Sequence, residues 1–242
     1  MAHDKMNIGI MQPYFLPYIG YFQLIAHVDK FVVYDKIKFT KKGWMNRNRM
    51  LRNGEPVTFS IPVTKASDFL DVHERSVSES FEPGKLINQI KGNYAKAPMC
   101  GEVMPLIEKV VGYQSQNLFD FIFHSIQETC RHLGIDTPLS VSSEVESASG
   151  LRSEDRVMGL CGDLGASVYT NPIGGVELYD PNTFKAYGIE LRFLRSENVN
   201  YDQFNAPFQP ALSILDVIMF NDPDRIAAWL REGYSIVEKD DP

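Results

Sequence analysis

The stretch that decides the fold is residues 7–35, NIGIMQPYFLPYIGYFQLIAHVDKFVVYD. Asn7 to Met11 is a short apolar run of strand length. Gln12 and Pro13 end it, because proline has no N–H to give to a ladder. From Tyr18 to His27 the apolar residues fall at 18, 19, 21, 22, 24, 25 and 26, which predicts a helix with almost no polar face. Phe31 to Tyr34 is a second buried strand, closed by Asp35. Strand, loop, helix and strand within about 30 residues is the size of a parallel βαβ unit. Ligands of such sheets bind beyond the carboxyl ends of the strands, where Gln12 and Asp35 both fall.

The alternation continues along the chain. Asn53-Gly54 is a turn signal ahead of a third strand, Val57 to Val63. Residues 84–133 predict three helices, the clearest from Asn117 to Leu133 with Gly134 as its cap. Leu139 to Ser142, Val168 to Asn171 and Ile189 to Leu194 read as strands. Ser153 to Leu164, Pro181 to Tyr187, Ser213 to Phe220 and Pro223 to Leu230 read as helices, Asp222 capping the last. The expected fold is α/β with a mainly parallel, Rossmann-like sheet. Residues 7–242 would form one domain, with 84–133 as a helical insertion or lid and Met1 to Lys5 as an extension.

A formal net charge of -7 argues against a general nucleic-acid binder, which needs a basic face. Residues 36–52 nevertheless hold seven basic side chains and no acidic one, which favours a small anionic ligand. Cys100, Cys130 and Cys161 form no C-x-x-C pair and read as buried free thiols. No apolar run approaches the ~20 residues that span a bilayer, so the expectation is a cytoplasmic protein without membrane insertion. The five histidines lack metal-ligand spacing, and no metal site is expected.

Four stretches carry candidate site residues. The first loop brings Gln12, Tyr14, Tyr18 and Tyr21, with two prolines and Gly20, which are not core-filling choices. In the basic segment, Arg47 and Arg49 alternate with Asn46 and Asn48, so an extended chain puts the arginines on one face. Two guanidinium forks with Lys42 suit a diphosphate, and Trp44 offers a flat face to a base or sugar. Lys36 and Lys38 read as solvated loop cations. Asn171, Gly174, Gly175 and Tyr179 form a strand-end corner suited to ligand hydroxyls. Ser213 and Asp216, three apart at a helix start, fit either a ligand contact or a cap. Asp35, with cations beside it, is the candidate base for a sugar amine, and Tyr18 and Tyr21 complete the candidate catalytic set.

Tyr18-Ile19-Gly20-Tyr21 has the layout of the H-x-G-H signature of nucleotidylyltransferases, with tyrosine at both histidine positions. More specifically, the chain resembles the WbqC-like family. The resemblance rests on Met11 to Ile25, Gly43 to Arg49, Thr170 to Gly175 with Leu178-Tyr179, and Leu212 to Val217. It implies a role in bacterial O-antigen, lipopolysaccharide and other surface-glycan biosynthesis. The implied activity is a transferase placing an acyl or aminoacyl group on a nucleotide-linked amino sugar, with an acyl or aminoacyl donor as co-substrate. Two alternatives stand beside it: an ATP- and magnesium-dependent amide ligase, and a non-catalytic sugar-nucleotide binder in a glycan-assembly complex. The chain departs from the family pattern after Asp35, where Lys36 and Lys38 replace an acidic residue and a glutamine.

Overall fold

The computed structural model describes residues 5–145, 153–197 and 199–239, so only Lys5 of the amino-terminal extension is described. In chain order the elements are β1 (Asn7–Met11), α1 (Ile19–His27), β2 (Lys30–Val33), β3 (Arg47–Arg52), β4 (Glu55–Ser60) and the helices α2 (Pro83–Tyr94), α3 (Cys100–Val111) and α4 (Leu118–His132). There follow β5 (Leu139–Val141), α5 (Ser153–Asp163), β6 (Val168–Pro172), α6 (Pro181–Ala186), β7 (Glu190–Ser196), α7 (Ile214–Phe220), α8 (Pro223–Glu232) and β8 (Tyr234–Val237).

Six strands make one sheet in the order β5-β2-β1-β6-β7-β8. Every neighbouring pair is parallel except β7 with β8. Counting only these six strands along the chain, the spatial order is 3-2-1-4-5-6, the doubly wound Rossmann order. The chain reverses its direction of travel between β1 and β6, which opens a crevice at their carboxyl ends.

Alternating side chains send one set of residues to each face. Ile8 and Ile10 of β1, Val32 of β2 and Leu191 and Phe193 of β7 pack with Val157, Leu160 and Cys161 of α5 and Phe184 of α6. Phe31, Val33 and Leu194 face the opposite way, into a larger core with α1, α2, α3, α4, α7 and α8. Helix α1 is buried almost all round because it lies between the sheet and α8. Gly9 brings it close: a Cβ there would lie 3.0 Å from the Phe31 ring and 3.4 Å from Leu24.

The connection from β2 to β5 spans residues 34–138 and carries both a hairpin and the three-helix unit. Strand β3 pairs with β4 in a two-stranded sheet of its own, and Asn53 and Gly54 turn the corner at φ 53° and 80°. Both values are positive, as a two-residue type I′ hairpin requires. The expected strand Val57 to Val63 is therefore shifted, ending at Ser60 short of Pro62, which cannot extend the ladder. Helices α2, α3 and α4 pack against β3, α7 and the 3-10 turn Val72–Glu74. Asn117 caps α4 through its side chain and Asp222 caps α8, with Pro223 in its first turn. Strand β8, unmarked in the sequence pattern, closes the sheet edge. Among the described residues no helix is long and apolar enough to cross a membrane.

Replacing Gly9 by Val is expected to push α1 from the sheet and cost about 1–3 kcal/mol of stability, read as a lower urea midpoint.

Candidate functional site

The loop after β1 is held by three other segments. Leu16 is fully buried in a left-handed conformation, φ 43°, which a leucine adopts only when its surroundings enforce it. Its carbonyl and that of Phe15 lie outside any ladder and need donors. Asn48 Nδ2 donates to Phe15 O at 3.2 Å and to Leu16 O at 2.8 Å, and Ser213 Oγ donates to Leu16 O at 2.6 Å. The Phe15 N–H donates to Met45 O at 3.1 Å, and the Ile214 N–H to Pro17 O at 2.7 Å. Tyr21, fully buried, donates its hydroxyl to Gln12 O at 3.0 Å.

Beyond the carboxyl ends of β1, β2 and β6 lies a cleft of about 1120 Å³. Its floor is Ile10 and Met11 at the end of β1 with Gln12 after them, Tyr34 after β2, and Asn171 and Pro172 at the end of β6. Tyr14, Tyr18 and Trp44 form one wall, and Gly174, Gly175 and Tyr179 another. Helix α5 contributes Glu154 and Arg156, and the segment after β2 contributes Lys36, Lys38, Phe69 and Asp71. Burial raises the phenols of Tyr14, Tyr18 and Tyr179, so all three are neutral hydrogen-bond donors near pH 7. Asn171 Nδ2 donates to Tyr169 Oη at 2.6 Å, and Tyr169 donates to Tyr179 Oη at 3.3 Å. A Cβ on Gly175 would stand 2.8 Å from Asn171 Oδ1, so only glycine lets this corner close over the asparagine.

Of the residues singled out from the sequence, Gln12, Tyr14, Tyr18, Trp44, Asn171, Gly174, Gly175 and Tyr179 come together around the cleft. The others stand behind it. Asn46 Nδ2 donates to Ile61 O at 2.8 Å. Arg47 Nε donates to Gly43 O at 3.0 Å and its Nη2 to Lys42 O, while Arg49 Nη2 donates to Ala211 O at 2.8 Å. Both guanidinium carbons sit 5.6–5.7 Å from the Trp44 ring, so the arginines brace the indole. The Lys42 side chain is exposed and outside the lining. Asn48 and Ser213 hold the loop backbone, as described. Asp216 is fully buried, accepting from Tyr94 Oη at 2.8 Å, Tyr201 Oη at 2.7 Å and Gln203 Nε2 at 2.6 Å. Burial pushes its carboxyl up despite those three donors. It ties α7 to α2 and to the segment before α7.

Among the polar and aromatic lining residues, Tyr34, Phe69, Asp71, Glu154 and Arg156 were not singled out from the sequence. Lys36 and Lys38, read there as solvated loop cations, also face the cleft. The seven-cation run was the signal for these lysines; its weight lies at the start of the run. Nothing in the local pattern marked Arg156, which sits in a helix where arginine is ordinarily a solvent residue.

Asp35, 4% exposed, turns its carboxyl away from this lining. Oδ1 accepts from Ser142 Oγ at 2.7 Å and from the Ser143 N–H at 3.0 Å, and the Asp35 carbonyl accepts the His73 N–H at 3.2 Å. The residue thus joins the end of β2 to the turn after β5. Burial acts to raise the carboxyl, but hydrogen bonds from Ser143 and Ser142, with His73 nearby, outweigh it and hold it below its usual 3.8. Among the described residues no group of three or more His, Cys, Asp or Glu side chains is arranged to hold a metal ion.

These features define a doubly wound α/β protein with a polar, aromatic-walled ligand cleft at its topological switch point. The chain belongs to the WbqC-like protein family, whose model matches residues 12–228. It is similar to the uncharacterized protein Rv1507c of Mycobacterium tuberculosis, 28% identical over 218 residues that cover 89% of this chain and 93% of that protein. No solved structure matches it.

Because the Asp35 carboxyl lies below its unfolded value, its contribution to stability is present above pH 3.8 and is lost as the pH falls through the folded value. Asp35→Asn is expected to cost about 1–3 kcal/mol at neutral pH, with the gap to wild type closing in acid. Urea titrations near pH 7 and pH 3 measure this. A gap that does not change with pH would assign the loss to packing instead of the carboxylate.

Proposed function

We propose that the protein is a transferase of bacterial surface-polysaccharide biosynthesis that moves an acyl or aminoacyl group onto the amine of a nucleotide-linked amino sugar. The observation that carries this reading is the cleft itself. Its volume of about 1120 Å³ stands at the top of the usual range for small-molecule sites and leaves room for a base, a diphosphate and a sugar. The braced indole of Trp44 and the rings of Tyr14 and Tyr18 supply stacking faces. Gln12, Asn171 and Tyr179 supply directional donors and acceptors for sugar hydroxyls. The family's association with O-antigen and lipopolysaccharide genes, implied by the motifs, supports the setting. Three cysteines without disulfides fit the reducing cytoplasm.

In this reaction the amine attacks the donor's acyl carbonyl, the carbon–nitrogen bond forms, and the donor's leaving group departs with the bonding pair. The ammonium proton must pass to a base. Glu154 is the carboxylate best suited to accept it: it lines the cleft near Tyr179, and its Oε1 is steadied by the Asp180 N–H at 3.1 Å. The role proposed for Asp35 is to hold the cleft's floor. The ligase alternative has less support, because of the two tyrosines in histidine positions only Tyr18 lines the cleft while Tyr21 is tied to Gln12 O.

Calorimetry with UDP- and dTDP-linked amino sugars against UDP and dTDP tests the reading. Amino-sugar nucleotides are expected to bind, and more tightly than the free nucleotides. Folded protein that binds none of them rules the reading out. Given a competent donor, Glu154→Gln is expected to retain the ligand and lose about 10²–10⁴ in turnover, read by mass spectrometry of the sugar. Undiminished turnover removes Glu154 from the mechanism.

A further inference from the structure

We infer that Arg156, Lys36 and Lys38 form an anion subsite of the cleft that takes a diphosphate. The sequence pattern pointed to Arg47, Arg49 and Lys42 for such a group. Two of those are engaged elsewhere: the guanidiniums of Arg47 and Arg49 donate to the carbonyls of Gly43, Lys42 and Ala211 and lie against Trp44. The positive charge that does face the cleft comes from Arg156, Lys36 and Lys38.

Arg156 is preorganised for the task. Its Nη1 donates to Lys36 O at 3.0 Å, its Nη2 donates to Ser142 Oγ at 3.2 Å, and its guanidinium lies over the Tyr34 ring, 5.2 Å from the centroid. These contacts fix the plane of the group before any ligand arrives. Lys36 lies at the same place, since its own carbonyl receives the Arg156 bond. Lys38 is steadied with its Nζ 5.0 Å over the Phe69 ring. None of the three forms an ion pair with a carboxylate among the described residues. Arg156, Lys36 and Lys38 outnumber the two carboxylates of the same lining, Asp71 and Glu154, and so leave a positive field there in a chain of net charge -7. A diphosphate diester brings two charges and a row of acceptors that can meet the guanidinium and both ammonium groups together.

Two sources could present that chemistry: the nucleotide-linked sugar of the proposed function, or an acyl donor such as coenzyme A, which also contains a diphosphate. The inference rests on the proposed function only for the identity of the ligand. Calorimetry at low salt with inorganic pyrophosphate, a UDP-linked amino sugar and coenzyme A separates these cases. The proteins are wild type, Arg156→Gln, the double variant Lys36→Gln/Lys38→Gln, and Lys91→Gln on the exposed face of α2 as a charge control. Pyrophosphate and whichever diphosphate ligand binds are expected to weaken about tenfold or more in Arg156→Gln and in the lysine pair, and to be unchanged in Lys91→Gln. The lysine pair is exposed, so it reports on the subsite even if Arg156→Gln fails to fold. Loss of coenzyme A binding in the same variants, with the sugar nucleotide unaffected, keeps the subsite and assigns it to the donor. Pyrophosphate binding that depends on these residues, with no sugar nucleotide binding, keeps the subsite and removes the proposed acceptor. Equal affinities of every bound probe across all four proteins overturn the subsite and leave the proposed function standing. Wild type that binds none of the three probes overturns both.

Discussion

The amide of Asn48 is the contact on which the rest of the site depends. A loop of seven residues must leave β1, cross the sheet edge and enter α1 through the protein's interior, where the carbonyls of Phe15 and Leu16 are cut off from water. Asn48 answers two of them at once, and Ser213 answers one of the same pair from the far end of the chain. With those bonds in place Leu16 is kept in its left-handed conformation, and Tyr14 and Tyr18 stand at the cleft and not in the core. Three distant stretches of sequence thus meet as one knot, and its purpose is to present a backbone.

The cleft in front of the knot is built from unequal materials. Its floor comes from the carboxyl ends of three parallel strands and its geometry is set by the sheet. Its aromatic wall depends on an indole braced by two guanidiniums, which are themselves anchored on main-chain carbonyls. Its positive side depends on an arginine pinned by a carbonyl, a hydroxyl and a ring. Rigid groups of this kind lose little freedom when a ligand arrives. Behind it, the buried carboxylate of Asp216 joins two tyrosines and a glutamine, and keeps α7 where Ser213 can reach Leu16.

Much of the fold was legible. Hydrophobic periodicity and capping residues located β1, α1, α4, α5, β6 and α8 within a residue or two, because these elements obey local rules. Strand β8 escaped notice because Tyr234 to Val237 is too short to show a period. The site was legible in place more than in role. Asn48, Ser213 and Asp216 are polar residues in unusual surroundings, and polarity at a buried loop looks the same in sequence whether it serves a ligand or a carbonyl. Arg47 and Arg49 lie on one side of an extended strand as expected, yet the partner on that side is Trp44. Arg156 was invisible because its neighbours in space, Tyr34, Lys36 and Ser142, are more than a hundred residues away or belong to a different element.

The long excursion between β2 and β5 carries the part of the cleft that the sheet does not fix. The floor of the cleft is written into strands whose residues also hold the sheet, so it resists change. Trp44, Phe69, Asp71 and the two lysines all sit on the excursion, whose helices share a core with the sheet and which returns through a three-residue strand. Substitutions at its exposed members, Trp44, Phe69, Lys36 and Lys38, can alter what the cleft accepts while the core is left alone. The specificity of the cleft can therefore change at a few exposed side chains without a change of architecture.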